Sequence, residues 1–99
     1  MTTRIDENNI VDYLHNFNKK HIRQTKHSNT KRKDRKFPIE FIIITLTEKY
    51  PIIIKQKKNK KFALVYPYTQ EYNLNIVISI KDKYINIVTQ YIFNKKRKI

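Results

Sequence analysis

Residues 74–93 read LNIVISIKDKYINIVTQYIF, and this stretch decides the fold. Leu74, Ile76, Ile78 and Ile80 occupy every second position, and Ile85, Ile87, Thr89, Tyr91 and Phe93 do the same after a break. Successive side chains of a strand point to opposite faces, so a period of two marks a strand with one buried face. The break, Lys81-Asp82-Lys83, is short enough to join two antiparallel strands. The pattern predicts a hairpin with one shared buried face, in which Ile76, Ile78, Ile87 and Tyr91 or their immediate neighbours are protected from solvent.

Working upstream, Phe62 to Tyr66 reads as another strand, closed by Pro67. Residues 52–55 read as a short one. Between them, residues 55–61 hold five lysines and read as a turn. Ile39, Ile42, Ile43, Leu46 and Tyr50 follow the spacing of a one-sided helix despite their β-branched content. Pro38 suits the first turn of that helix, and Pro51 ends it. Ile10, Leu14 and Phe17 recur at helical spacing, with Asp6 or Asn8 able to cap, so residues 6–17 read as a short helix. Residues 26–36 are charged, free of proline and compatible with helix. The fold class expected is α+β: N-terminal helices packed on a four-stranded antiparallel sheet, a meander. One domain over residues 1–99 is expected, with a core at about 6–93 and a basic tail at 94–99.

Composition narrows the function. The chain has 22 Lys and Arg against 8 Asp and Glu, a net charge of +14. Its wealth of Ile, Lys and Asn fits an AT-rich coding sequence, but that bias would raise Glu too. Glu stands only at 7, 40, 48 and 71. The basic excess therefore points to a polyanionic partner, with RNA the leading candidate and an anionic membrane surface or an acidic protein the alternatives. Candidate phosphate contacts are Arg23, Lys26, Arg32, Lys57, Lys58, Lys60, Lys61, Lys95, Lys96 and Arg97. Tyr66, Tyr68 and Tyr72 are candidates to stack on bases. The chain has no glycine, which excludes phosphate-cradling glycine loops and dinucleotide fingerprints. It has no cysteine, which excludes disulfides, thiolate metal sites and a cysteine nucleophile. No apolar run reaches the length of a membrane span, so no membrane insertion is expected. Residues 1–9 are polar and unlike a signal peptide, so a cytoplasmic location is expected.

One grouping suits chemistry on phosphodiesters. His27, Lys31 and Arg35 are spaced i, i+4, i+8 and would share one face of a helix. An imidazole moves protons near neutral pH, and the two cations can neutralise charge developing on a scissile phosphate. A solvated basic face with an incidental histidine has the same pattern. Thr89 sits where the apolar alternation calls for Ile or Val, and its hydroxyl could orient a phosphate oxygen beside Tyr91. Threonine is also a good strand former in its own right. His15, His21 and His27 are six residues apart and have no carboxylate cluster, so neither a metal nor another cofactor is expected.

The run from His27 through Lys31 and Arg35 into Lys36-Phe37-Pro38-Ile39-Glu40-Phe41-Ile42, with the strand Ile87-Val88-Thr89-Gln90-Tyr91, resembles a known pattern. It is similar to the helix signature and terminal strand of the barnase–EndoU–colicin–RelE superfamily of metal-independent ribonucleases. The resemblance spans about residues 22–93. Lys31 stands where the family has an arginine, and Lys36 where it has a glycine. The resemblance implies a RelE-like endoribonuclease toxin that cleaves RNA by attack of the ribose 2′-hydroxyl. His27 would serve as acid or base, Lys31 and Arg35 would hold the phosphate charge, and Thr89 and Tyr91 would position the substrate. An acidic antitoxin or immunity protein would be the natural partner. The alternative is a basic nucleic-acid-binding module without catalysis.

Overall fold

The computed structural model describes residues 5–24, 38–81 and 83–96. Among them the chain forms helix α1 (Ile10–His15), a single 3-10 turn (Lys19–His21), strand β1 (Ile22–Gln24) and helix α2 (Ile39–Glu48). Strands β2 (Ile53–Lys58), β3 (Lys61–Pro67), β4 (Tyr72–Lys81) and β5 (Tyr84–Asn94) follow. The architecture is α+β, with a five-stranded mixed sheet in the order β1-β5-β4-β3-β2. The expected meander is present as β2 to β5. The expected count of four strands is too low, because β1 adds to the meander's edge, parallel to β5, pairing Ile22 with Ile85 and Gln24 with Ile87. Three residues are too few to show a period, so β1 leaves no trace in the sequence pattern.

α1 is shorter than residues 6–17 suggest. Its start is folded back on itself: the Asp6 amide donates to Asn9 Oδ1 (2.8 Å) and the Asn8 amide to Asp6 Oδ1 (2.9 Å). At its end the Asn16 side chain donates to the Asp12 carbonyl (2.8 Å), and the Phe17 amide takes the Leu14 carbonyl (3.1 Å). Such side-chain and i−3 bonds tighten and terminate a helix. α2 starts behind Pro38, as its spacing predicts, and buries Ile42 and Leu46 completely. Thr45 and Thr47 are buried too, because each hydroxyl donates to the carbonyl four residues back, on Phe41 and Ile43 (both 2.8 Å).

The lysine-rich stretch is mostly strand, and only residues 59–60 turn. β2 runs to Lys58 and β3 starts at Lys61, with Lys58 paired to Lys61 across the link. The β3–β4 connection is held by Thr69, whose Oγ1 accepts from the amides of Glu71 (3.3 Å) and Tyr72 (3.0 Å). Both helices lie against one sheet face. There Ile10, Leu14, Ile42 and Leu46 meet Ile22, Phe62, Leu64, Tyr66, Leu74, Ile76, Ile78, Ile80, Ile85 and Ile87 in one buried cluster. Burying side chains of this size contributes about 1.5–3 kcal/mol each. Tyr66 belongs to this cluster at 1% exposure. It is therefore not the exposed stacking residue expected from the sequence. Tyr68 is 42% exposed, and Tyr72 is half-buried.

Candidate nucleic-acid interface

β5 does not alternate without interruption. Val77 pairs with Thr89 but Ile78 pairs with Ile87, so Val88 is an extra residue in a β-bulge. A bulge moves every later side chain to the other face. Ile85 and Ile87 face the helices. Beyond the bulge Gln90 stands opposite Ile76 and Ile92 opposite Leu74 on that same face. Thr89, Tyr91 and Phe93 turn to the opposite face. Tyr91 therefore does not share the buried face of Ile76, Ile78 and Ile87; Gln90 occupies that position at 5% exposure.

The pairing register lays out the face opposite the helices in rows. Lys58, Lys61, Ser79, Asn86 and Arg23 lie side by side across all five strands. The next rows are Lys55, Ala63, Val77 and Thr89, then Ile53, Val65, Asn75 and Tyr91. Pro67, Asn73 and Phe93 close the far end. None of these residues is acidic. One end is cationic and the other aromatic, with amides and a threonine between. Ala63, Val65, Asn73, Asn75 and Phe93 are buried, whereas Lys55, Lys61, Thr89 and Tyr91 are half-buried and Lys58 and Arg23 are exposed. Phe93 backs the Tyr91 ring at 6.2 Å between centroids. The Asn73 Oδ1 is buried with no hydrogen-bond partner among the described residues.

At the cationic end Arg23 is held in place. Its Nε donates to Asn86 Oδ1 (2.9 Å), and its guanidinium lies 4.2 Å from the centre of the Tyr84 ring. Stacking and a single Nε bond fix the plane of the fork while its terminal NH2 groups can still address an anion. Lys81, paired with Tyr84, adds a further exposed cation. His21 packs on Tyr84 at 5.3 Å, so an imidazole, a phenol and a guanidinium gather at one corner of the sheet. The other described histidine, His15, is tied elsewhere. Its Nε2–H donates to the Lys49 carbonyl (2.8 Å), and its ring meets Tyr50 at 4.8 Å.

Of the catalytic residues expected from sequence, Thr89 and Tyr91 come together on the face opposite the helices. His27, Lys31 and Arg35 lie outside the described residues, as do Lys26, Arg32, Arg97 and the helix expected over 26–36. Of the expected phosphate contacts, Arg23, Lys58 and Lys61 join the basic row. Lys57 lies at the irregularity between Gln56 and Lys58, and Lys60 in the adjoining turn. Lys95 and Lys96 sit at the opposite end of the sheet, where the Lys95 amide donates to the Glu71 carbonyl (2.9 Å). Sequence reasoning missed His21, Tyr84 and Asn86, which only the parallel pairing of β1 unites with Arg23.

No helix among the described residues is long and apolar enough to cross a membrane. Comparison with known proteins finds no matching family model and no significantly similar curated protein or solved structure.

Proposed function

We propose that the protein binds single-stranded RNA across the face opposite the helices. The observation that carries this reading is the Val88 bulge. It sets Thr89 and Tyr91 on the same face as the row Lys58, Lys61, Ser79, Asn86 and Arg23. Cations neutralise phosphates, the half-buried Tyr91 ring stacks on a base, and the half-buried Ser79 and Thr89 hydroxyls address base edges and the ribose 2′-hydroxyl. The net charge of +14 supports the same partner. An acidic protein that covers this face would be its antagonist.

The test is anisotropy of a labelled single-stranded RNA of roughly 12 nucleotides, within the usual site size. Tyr91→Ala and Arg23→Ala should each weaken binding, Tyr91→Ala by about 5-fold to 100-fold, the range of one base stack. Ile44→Ala, on the exposed side of α2, should change nothing. Equal affinity in all three variants would overturn the reading.

A second reading, cleavage, is favoured by the corner where His21 and Arg23 meet on Tyr84. The ribose 2′-oxygen would attack phosphorus, and the bond to the 5′-oxygen would break. His21 would accept the 2′-hydroxyl proton, the leaving 5′-oxygen would take a proton from solvent water, and a 2′,3′-cyclic phosphate would remain. Arg23 would offset the charge on the phosphorane. The set His27, Lys31 and Arg35 with Thr89 and Tyr91 is the competing assignment from sequence. Denaturing gels of RNA incubated with His21→Ala and His27→Ala separate the two. Loss of the acid–base group lowers the rate by roughly 10²–10⁴-fold while leaving binding nearly intact. RNA that is bound tightly and never cut by the wild-type chain leaves the binding reading alone.

A further inference from the structure

A cavity of about 460 Å³ lies between α2 and the end of the β3–β4 hairpin. Phe41, Tyr50, Tyr66 and Tyr68 supply four aromatic rings to its lining, with Pro67 and Lys49. Phe41 and Tyr68 meet edge to face at 6.1 Å and remain 38% and 42% exposed. The lining is held in place at two points. His15 holds the Lys49 carbonyl and packs on Tyr50, and the Thr69 turn fixes the segment that carries Tyr68. The volume is that of small-molecule sites. Its single charged lining residue is a lysine, with no acid to match it.

A lining of four aromatic residues and one cation complements a planar aromatic group that carries a negative charge. We propose that this cavity takes the base of an unpaired nucleotide, with the Lys49 ammonium toward its phosphate. The proposal deepens the RNA-binding reading and rests on it for the source of the nucleotide. Pro67 lines the cavity on the helix side of the sheet and also ends the row that holds Asn73 and Phe93 on the other face, so the two share one end of the sheet.

The test titrates the full chain with adenosine 5′-monophosphate, following tyrosine ring signals by NMR. Ribose 5-phosphate and N-acetyl-phenylalaninamide serve as competing probes. Saturable binding of the nucleotide is expected, with ribose 5-phosphate far weaker. Tyr68→Ala should weaken nucleotide binding by about 5-fold or more, as loss of a base stack does. Lys49→Ala should weaken the nucleotide several-fold, on the order of one lost phosphate contact, and leave adenosine unchanged. Ribose 5-phosphate binding as well as the nucleotide, or a nucleotide indifferent to Tyr68→Ala, would overturn the proposal. So would tighter binding of the phenylalanine probe, which would assign the cavity to a protein partner. If Tyr91→Ala and Arg23→Ala leave RNA affinity intact while Tyr68→Ala abolishes nucleotide binding, the sheet-face reading fails and the cavity stands as a site for free nucleotide.

Discussion

Tyr66 is 1% exposed, and its hydroxyl has no hydrogen-bond partner among the described residues. A buried hydroxyl without a partner costs about 1–3 kcal/mol. Burial also disfavours the phenolate and pushes the acid dissociation well above its ordinary value of 10.0. The folded state then holds its proton more tightly than the unfolded chain. That contribution is fully present below pH 10 and is lost as pH rises toward the folded value. Tyr66→Phe should therefore be more stable at neutral pH by about 1 kcal/mol, raising Tm by about 4–8 °C. Its stability should also fall less on alkaline titration. Calorimetry at neutral and alkaline pH checks both, and a variant less stable than wild type at neutral pH would show that the hydroxyl has a partner. The parity that Tyr66 shares with Phe62 and Leu64 carries the signal of its burial, although its ring and hydroxyl also suited an exposed stacking role. Its unsatisfied hydroxyl was not legible, because hydrogen-bond partners come from chain segments that parity does not order.

At the scale of the element, the Val88 bulge decides which half of β5 meets the helices. The hairpin of β4 and β5 was legible from alternation, because a period of two survives whichever face is buried. The reversal was not, since one extra residue leaves the later spacing of Thr89, Tyr91 and Phe93 intact. The adjacent apolar pair Ile87-Val88 is the local signal that could have raised it. The bulge makes a sharp prediction. Gln90→Asp, placing a carboxylate in the helix-facing layer, should cost several kcal/mol, roughly 3 or more. Tyr91→Asp, on the other face, should cost about 1 kcal/mol. Denaturant unfolding measures both, and an uninterrupted strand would give the reverse order.

For the whole molecule, the helix–sheet layering follows from apolar faces that the sequence displays, whereas the mixed character of the sheet rests on three residues without a pattern. The candidate interface was half legible: Thr89, Tyr91, Arg23, Lys58 and Lys61 could be picked out, but their shared surface depends on register. If Arg23, Lys58, Lys61 and Lys81 each meet a phosphate, the logarithm of RNA affinity should fall against log salt with a slope of roughly −3, about −0.7 per contact. Arg23→Ala should flatten that slope by about 0.7. A salt-independent affinity would remove phosphate contact from the account. The parallel docking of β1 also has a kinetic side. The meander closes through short links, whereas Ile22 must find Ile85 across most of the chain. Contacts this distant in sequence form late, because closure entropy comes before any reward. β1 is also an edge of the sheet and only three residues long, so local opening should release it at lower free energy than the meander. Amide exchange at residues 22–24 should accordingly outpace that at Ile76 and Ile78. Arg23 rides on that strand, so the guanidinium at the cationic corner is attached to the part of the sheet that assembles last and opens first, and occupancy by an anion would slow the exchange of its own tether.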